Sequence, residues 1–597
     1  MKNYNYKSNL EKIEAIEHSF DVNTLEYRGI RLWPMIRLMI DLQLTFPKNN
    51  HTRKVTPING RIPVIDSKKE IEKILQKNQN TDIIFFSRPG EHVEKSKDKF
   101  YNPYVDPLID IIRHKYKFLK LEHYTNQSKE TLPRTEKTHF IHPVIIDYKM
   151  DTITHFEHFL YFQDKVKHYA NITIDEEMVL EIARNIFAMH IFYKDLLSQI
   201  QPDVVFNVCF AHFVAMSLFS ACKKLNISSV DFQHGMHGDN HSLYSHWTVL
   251  PKDGHDLLPD FFWCWGQSSL DGIEKWHDPE CPNHRAIVGG NPRMKNWFDK
   301  DDSLIEESKS QFYDRLENTN SVILVTLQRI YKSHKILPDH FFEAMRQAPD
   351  EWLWLIRLSP AANSKEDKSE IDALMKKNNV RNYEIDNATS SPLYSLLKRC
   401  HHHITDSSSS SYEALFFKVP TTLIGPNGLE NLSSEINKGV FAYANTSQSL
   451  LQSINKGFIN PKIDPSEFIQ TSRECAENAL KIIMNHPRQY QVQNQYKYVM
   501  HYAHAMNKLG ADVANNGYIE AALNIFQKAI EASPNFYKIY NNIAVLYCHK
   551  NENDKALVNF FRALDISKND TRLIKNVIEF LKILGNLESS GKMLLLF

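Results

Sequence analysis

The chain has 597 residues, which is too long for one hydrophobic core and predicts about three or four domains. Hydrophobic residues make up 42% and charged residues 24%, as in an ordinary soluble protein. Lys plus Arg and Asp plus Glu both number 71, so the formal net charge is zero. Because no overall positive field attracts the chain to nucleic acid, we expect no nucleic-acid partner.

Signals for export or membrane insertion are weak in this sequence. The first residues, MKNYNYK, lack the apolar core of a signal peptide. The best apolar run, residues 204–222, is interrupted by Asn207 and His212 and is short for a membrane span. The seven cysteines are scattered without CxxC spacing, which is typical of reduced thiols. We therefore expect a cytoplasmic protein, with peripheral attachment to the inner membrane face as an open alternative.

The first predicted elements are an N-terminal helical segment, residues 1–75, and a first α/β unit, residues 76–300. In this unit, short apolar runs such as IIFFS at 83–87 alternate with helical patterns. Such alternation predicts a doubly wound, Rossmann-like parallel sheet. The loop after the first strand contains Arg88, Glu91 and His92.

The segment DFQHGMHGD, residues 231–239, follows a predicted strand of the first unit. Parallel α/β sheets bind ligands at the carboxyl ends of their strands. His234 and His237 titrate near neutral pH and suit acid–base chemistry or phosphate contact. Gly235 allows a sharp turn and the close approach of a ligand. The alternative is an ordinary loop with structural histidines.

A second alternating unit, residues 301–485, begins with the strand SVILVTL at 321–327. Two α/β units in tandem place a cleft between them, where ligand sites are common. A strand at 401–405 contains three histidines, and alternation puts His401 and His403 on one face. A metal site formed with Cys400 lacks a carboxylate or second cysteine at ligand spacing, so we expect no metal.

Five consecutive serines, residues 407–411, stand between that strand and a predicted helix. A helix N-terminus has a partial positive charge and unpaired N–H groups, so it suits a phosphate. The alternative is a simple N-cap, for which one serine is enough.

The last predicted region, residues 486–597, is helical and repetitive. Small and aromatic positions recur after roughly 34 residues: Ala522, Phe526 and Ala529 return as Ala556, Phe560 and Ala563. This period and pattern resemble the tetratricopeptide repeat. Stacked repeats offer a concave surface, so we expect a protein partner there.

The QHG loop in one α/β unit and the TDSSS…EAL run in the next resemble motifs of bacterial GT-B-fold glycosyltransferases of surface-polysaccharide synthesis. That group includes capsule and lipopolysaccharide enzymes and, more distantly, teichoic-acid glycerophosphotransferases and bacterial sialyl- and Kdo-transferases. Three further segments are similar to motifs of the group: FFWCWGQS at 261–268, VGGNPR at 288–293, and Val419-Pro420. The resemblance covers about residues 80 to 485.

The resemblance implies two Rossmann-like domains in which a sugar passes from a nucleotide-sugar donor to a glycan or glycolipid acceptor, without a metal ion or cofactor. On the donor side it implies phosphate contacts from Arg329, Arg357, Ser407, Ser408, Ser409 and Ser410. Glu413 would accept a hydrogen bond from a ribose or sugar hydroxyl. On the acceptor side it implies a cleft lined by Arg88, Gln233, Gly235 and His237. The attacking hydroxyl must lose a proton, for which the candidates are Glu91, His92, His234 and Asp239, with Glu91 and His234 favoured.

One position departs from the pattern. Relatives often have Arg-x-His-Pro where this chain has RLSP at 357–360, so a donor-phosphate histidine is missing and a CMP- or CDP-linked donor is disfavoured. Three alternatives stay open. They are a protein (flagellin-type) glycosyltransferase, a sugar- or glycerol-phosphate transferase, and a non-catalytic repeat scaffold.

Overall fold

The structure is a computed structural model. It describes residues 6–45, 61–64, 81–88, 94–96, 99–123, 134–141, 144–147, 155–237, 241–296, 311–328, 337–360, 365–486, 503, 506–534, 536–567 and 570–583. Two parallel sheets with surrounding helices are followed by a helical C-terminal region. The predicted fold class is thereby confirmed. None of the described helices is both long and apolar enough to cross a membrane.

The N-terminal segment consists of two helices, Tyr6–Ser19 and Trp33–Thr45, separated by a 3-10 turn, Val22–Thr24, and a hairpin of β1 (Glu26–Tyr27) and β2 (Ile30–Arg31). Their apolar faces share one core with helices of the first α/β unit.

A buried ion pair fixes this segment to the first unit. Arg37 pairs with Glu17, and both side chains are fully buried. The Arg37 guanidinium also donates to the backbone carbonyls of Ser242 at 2.9 Å and Ser245 at 3.0 Å. The N-terminal helices therefore hold the chain that follows the QHG loop.

The strands of the first unit are, along the chain, β3 (Arg61–Val64), β4 (Ile83–Ser87), β5 (Glu94–Ser96), β6 (Lys99–Tyr101), β7 (Phe118–His123), β8 (Thr138–Ile141), β9 (Val144–Asp147), β10 (Val204–Val208), β11 (Ser228–Phe232), β12 (Phe261–Cys264) and β13 (Arg285–Val288). Seven of them form one parallel sheet in the order β13-β12-β11-β10-β4-β7-β8. The strand order reverses between β4 and β10, which makes this point the switch point of the sheet.

Helices cover both faces of this sheet, so its central strands are buried along their whole length, as expected of a parallel sheet. Their bounds are Asp106–Ile112, Phe159–Ala170, Glu176–Ile200, Phe213–Leu225, Gln267–Glu274 and Pro292–Asn296. The longest begins where the Asp175 side chain accepts a hydrogen bond from the Glu177 N–H, and it ends at Gln201 in the left-handed conformation.

The second unit begins with the helix Gln311–Glu317. Its strands are β14 (Ser321–Thr326), β15 (Trp352–Arg357), β16 (Tyr383–Glu384), β17 (His402–Thr405), β18 (Thr421–Leu423) and β19 (Ala442–Tyr443). They form a parallel sheet in the order β16-β15-β14-β17-β18-β19. Numbered within the unit this is 3-2-1-4-5-6, the order of nucleotide-binding Rossmann sheets, with its switch point between β14 and β17.

Several helices of the second unit have only one or two turns. The helix bounds are Asp339–Gln347, Lys365–Lys377, Asp386–Ser390, Leu393–Leu397, Ser410–Phe416, Pro426–Asn431, Ser433–Asn437 and Ser447–Lys456, followed by the 3-10 turn Pro465–Glu467. The next helix, Arg473–Met484, crosses back to the first unit. Its Ala476 and Leu480 lie in the core of the first sheet, and Arg473 donates to the Ile111 carbonyl at 2.9 Å. The predicted range of the second unit, 301–485, thus includes a helix that packs on the first.

The C-terminal region is helical over residues 506–515 and in the helices Ile519–Ala532, Tyr537–His549, Asn553–Ile566 and Thr571–Ile583. Small residues sit where these helices cross closely. A Cβ at Gly510 would lie 2.5 Å from the Phe526 ring.

This region is joined to the first unit. Buried apolar residues of this region, among them Ala503, Phe526 and Ile543, belong to the same core as the N-terminal helices. Arg28 pairs with Asp512 at 3.4 Å, and Lys528 lies 3.6 Å from Asp195 of the long helix Glu176–Ile200. The first repeat is therefore packed against the α/β unit.

Candidate functional site

The carboxyl ends of the two sheets meet where the α/β units touch. The guanidinium of Arg293, after β13, lies 4.6 Å from the ring centre of Tyr394. The Tyr394 hydroxyl donates to Glu413 Oε1 at 2.5 Å, and Glu413 lies in the helix after β17. Met236 and Trp265 of the first unit pack into the core of the second. The loops after β11, β12 and β13 thus face those of the second sheet.

The serine loop lies at the switch point of the second sheet. Gln328, just after β14, donates to the Ser407 hydroxyl at 2.8 Å. Thr326, the last residue of β14, lies 2.8 Å from the Ser410 hydroxyl. Both bonds join the loop after β17 to the end of β14, so the loop is held where α/β sheets bind their ligands.

The four predicted phosphate-binding serines differ in where their hydroxyls point. Ser410 is 4% exposed and its hydroxyl also lies 3.3 Å from His403 Nε2. Its side chain is turned into the protein and is not placed to contact a phosphate, which corrects the sequence prediction. Ser407 is 7% exposed and already accepts a hydrogen bond. Ser408 and Ser409 are half-buried, and Ser409 makes no side-chain capping bond.

The histidines of β17 form part of the support beneath this loop. His403 is bonded on both ring nitrogens, to Thr326 at 2.9 Å and to Thr421 at 3.1 Å, and His402 is bonded to Thr422 at 2.8 Å. Burial lowers the pKa of His403 to about 3, so its ring is neutral. A group of three or more side chains able to ligate a metal is not found in the part of the chain that the structure describes.

Glu413 is buried between the units, at 6% exposure. Burial raises the pKa of its carboxyl, whereas the Arg293 charge, the Tyr394 hydrogen bond and the Arg357 charge act to lower it. The carboxylate is thus enclosed by protein groups and is not exposed on a helix surface. Sequence reasoning did not select Arg293 or Tyr394 as site residues, although Arg293 ends the VGGNPR segment.

Arg357 has a different environment from the one expected of a phosphate ligand. Its Nη1 donates to the carbonyls of Ala388 at 2.7 Å and Ser391 at 2.5 Å. Burial, helped by the nearby Arg293 charge, lowers its pKa to about 10, so it stays charged at neutral pH. Arg357 thus fixes the turn that leads to Tyr394, and Nη1 is occupied by this contact.

Gln233, which was predicted to line the acceptor cleft, has a structural position instead. It is 2% exposed. Its Oε1 accepts from the Trp265 N–H at 2.6 Å, and its Nε2 donates to the Gly235 carbonyl at 2.8 Å and to Ser269 at 3.0 Å. All its polar atoms are bonded within the protein, so Gln233 ties the end of β11 to the end of β12.

A buried acid that sequence reasoning missed lies beside the QHG loop. Asp231 is fully buried in β11 and accepts a hydrogen bond from the Tyr244 hydroxyl at 3.1 Å. Burial raises its pKa well above the usual range, and the neighbouring His234 opposes this shift. The His237 ring stacks on Tyr244 at 3.7 Å, and burial lowers its pKa well below normal. In the sequence, Asp231 could have been recognised as a candidate site residue because it is a charged residue within an apolar strand.

The remaining predicted residues divide into two groups. Arg88 and His234 are half-buried after β4 and β11. At Gly235 a Cβ would meet nothing within 4 Å, so the described packing leaves open space there and does not require glycine. Glu91, His92, Asp239 and Arg329 lie outside the described residues.

Comparison with known proteins gives one family match. A family model described as tetratricopeptide repeat matches residues 525–558, which confirms the predicted repeats. No curated protein matches the chain.

Several solved structures resemble the chain at low identity. UDP-GlcNAc 2-epimerase from Methanocaldococcus jannaschii is 13% identical with a TM-score of 0.42, covering 68% of this chain and 99% of that one. The Neisseria meningitidis UDP-GlcNAc 2-epimerase bound to UDP-GlcNAc is 14% identical with a TM-score of 0.41 and covers 68% and 99%. Anabaena Alr3699/HepE in complex with UDP and glucose is 12% identical with a TM-score of 0.34 and covers 70% and 98%.

Proposed function

We propose that this protein is a glycosyltransferase that transfers a sugar from a nucleotide-sugar donor to a growing bacterial surface glycan, of capsule or lipopolysaccharide. The observation that best supports this proposal is that the carboxyl ends of the strands of both sheets meet where the two α/β units touch. The serine loop at the switch point of the second sheet is on the side that contacts the first unit through Arg293, Tyr394 and Glu413. Group transfer needs two substrates on opposite walls of one cleft, and this arrangement provides two such walls.

The donor would bind to the second unit. The hydroxyls of Ser408 and Ser409 and the loop backbone contact the phosphates, and Glu413 accepts a hydrogen bond from the ribose. When the bond between sugar and phosphate breaks, negative charge develops on the leaving nucleotide. Arg293 and Arg357 would stabilise that charge from the junction of the units, within a region of low dielectric.

The acceptor would bind to the first unit, near Arg88, Gly235 and His237. His234 is the proposed base for the attacking hydroxyl, because it follows a strand end and lies near the buried Asp231. Glu91 and Asp239 remain alternative bases in this proposal. The nucleotide sugar is a co-substrate, and the proposed reaction uses no cofactor or metal ion. The proposed location is the cytoplasm or its membrane face, where such donors and glycolipid acceptors meet.

The test is incubation of the purified full-length protein with UDP-, GDP-, dTDP- and CMP-sugars, with and without bacterial glycolipid and polysaccharide acceptors. Nucleotide release, acceptor mass and the configuration of recovered nucleotide sugar are measured together. We expect acceptor-dependent release of one nucleoside diphosphate and an acceptor mass increased by one sugar. Ser409→Leu should lose this activity.

Each other outcome would indicate a different function for this protein. A mass increase that includes phosphate would indicate a phosphotransferase, and modification of a protein acceptor would indicate a protein glycosyltransferase. Conversion of the nucleotide sugar without acceptor would indicate epimerisation, the activity named for two of the compared structures. Absence of nucleotide binding and of every product would refute an enzyme and favour a scaffold.

A further inference from the structure

The turn of the N-terminal hairpin lies against two helices of the first α/β unit. Its two residues, Arg28 and Gly29, have positive φ values of 51° and 80°, as a two-residue hairpin turn requires. The guanidinium carbon of Arg28 lies 5.5 Å from the ring centre of Phe187, in the long helix of the unit. The Gly29 carbonyl accepts a hydrogen bond from Lys224 Nζ, in the helix after β10, at 3.3 Å. The turn therefore brings side chains of both helices together.

A histidine near this turn has a ring nitrogen that is not satisfied. His190 lies three residues after Phe187 in the long helix, and the two rings stack with their centres 6.3 Å apart. His190 is 2% exposed, and its Nδ1 is buried without a hydrogen-bond partner among the described residues. A buried polar atom without a partner reduces stability. A ligand that bonds to Nδ1 would offset this cost.

Two half-buried lysines are close enough to His190 for their charges to act on its ring. Burial and the charges of Lys194 and Lys224 lower the pKa of His190 well below its usual range, so the ring is neutral. Burial and the Lys224 charge lower the pKa of Lys194 to about 7. Burial also lowers the pKa of Lys224 to about 8, although Asp256 and the exposed Glu26 act to raise it. Burial and mutual repulsion thus destabilise the protonated form of both lysines.

Asp256, the acid that acts most strongly on Lys224, is held by other cations. Arg31 pairs with Asp256 at 2.9 Å, and Lys223 pairs with it at 3.2 Å. Arg31 also pairs with Asp253, at 2.7 Å. The negative charge of Asp256 is therefore shared, and the pKa of Lys224 stays below normal in spite of it. A bound anion would supply the charge that favours the protonated form of both lysines.

We propose that His190, Lys194 and Lys224 together bind a phosphate group at the hairpin turn, and we call this the turn site. The two ammonium groups pair with the phosphate oxygens, and the neutral imidazole donates a hydrogen bond to one of them from Nδ1. Arg28 of the same turn pairs with Asp512 of the repeats at 3.4 Å, so the turn site lies where the repeats join the α/β unit. The turn site uses none of the residues of the proposed donor and acceptor sites and does not depend on the proposed function.

The test uses the full-length protein and sulfate, which has the charge of a phosphate dianion but does not titrate near neutral pH. Sodium chloride keeps the ionic strength constant, so that general screening does not change. We expect sulfate to bind with a Kd of about 1 mM or lower. A bound anion raises the pKa of Lys194 from about 7, so binding at pH 7.5 should take up about 0.5–1 proton. Calorimetry in buffers of different ionisation enthalpy measures this uptake on the wild-type protein.

Lys194→Met should weaken sulfate binding at least about tenfold and abolish the proton uptake. The melting temperature of the unliganded variant should be unchanged or higher, because the substitution removes a desolvated charge beside Lys224. Lys528→Met is the matched control, since it removes the same charge from a lysine that lies 3.6 Å from Asp195. It should keep the sulfate Kd within about twofold of wild type. Ser409→Leu should also keep it, which separates the turn site from the proposed donor site.

Two phosphate sources are then distinguished by competition with sulfate. Competition by glycerol 3-phosphate would assign the phosphate to a small soluble molecule, and competition by vesicles containing phosphatidic acid would assign it to a lipid headgroup. Either result supports the turn site if Lys194→Met abolishes it. Absent sulfate binding, binding without proton uptake, failure of both competitors, unchanged affinity in folded Lys194→Met, or loss of affinity in Ser409→Leu would each overturn the proposal.

Discussion

Substitutions at two adjacent serines, Ser409 and Ser410, should affect nucleotide binding and folding stability separately. Ser410→Ala removes a hydroxyl that is 4% exposed and lies 2.8 Å from Thr326 Oγ1 and 3.3 Å from His403 Nε2. Thr326 and His403 remain bonded to each other at 2.9 Å, so no buried polar atom loses its last partner. The expected loss of unfolding free energy is therefore that of one neutral hydrogen bond, about 1 kcal/mol, and not the ~3 kcal/mol of an unsatisfied buried group.

Ser409→Leu should have the opposite effects. The residue is half-buried at the start of a short helix and makes no side-chain capping bond, so the unfolding free energy should change by no more than about 0.5 kcal/mol. The larger apolar side chain would occupy the space proposed for the donor phosphates. We therefore expect the nucleotide Kd to rise at least about tenfold, which is ~1.4 kcal/mol.

Urea denaturation and calorimetric titration with nucleoside diphosphates measure the two effects. The Ser410→Ala variant should unfold at a lower urea concentration than wild type, while its nucleotide Kd stays within about twofold of the wild-type value. If Ser409→Leu binds nucleotide normally, or Ser410→Ala loses binding while Ser409→Leu retains it, the assignment of the phosphate site to the outer serines is refuted.

Three further results are expected. Tyr394→Phe keeps the ring beneath Arg293 but removes the hydrogen bond that lowers the pKa of Glu413, so nucleotide affinity should be lost at a higher pH than in wild type when the solution is acidified. An unchanged dependence of nucleotide affinity on pH would argue against a Glu413 carboxylate in binding. Arg37→Met removes the cation that pairs with the buried Glu17, which keeps the neutral donors of Trp33 and Thr248, and should reduce stability by about 3–5 kcal/mol, part of which Glu17→Gln should restore. A double-mutant cycle showing strict additivity would contradict the pairing. Truncation after residue 485 removes the repeats from a shared core, so the product should bind the dye ANS or aggregate; a compact truncated protein that does not bind ANS would show that the α/β units fold without them.

Local sequence patterns determined much of the fold. Buried parallel strands appear as short apolar runs, and the run at 321–327 became β14, Ser321–Thr326. The repeat spacing is visible in the sequence because small residues such as Ala522 and Ala529 are buried in one core with the helices next to them in the chain. Such features depend on neighbouring residues, so they are visible without the tertiary structure.

The direction of individual side chains could not be predicted in this way. The serine run alone does not distinguish Ser409 from Ser410, because β14, which supplies Thr326, lies about eighty residues earlier in the chain. The sequence places Gln233 at a strand end, where ligands commonly bind, whereas in the structure its Oε1 accepts from the Trp265 N–H and joins two strand ends.

The sequence by itself determined two α/β units, their strand ends and the repeats, since hydrophobic periodicity and turn residues act over short distances. Only the tertiary structure decided which of the polar residues at those strand ends face each other. Arg293 and Glu413 belong to different units and act on one another only because the carboxyl edges of both sheets come together. The pairing of distant segments depends on packing of the complete chain, and no local pattern specifies it.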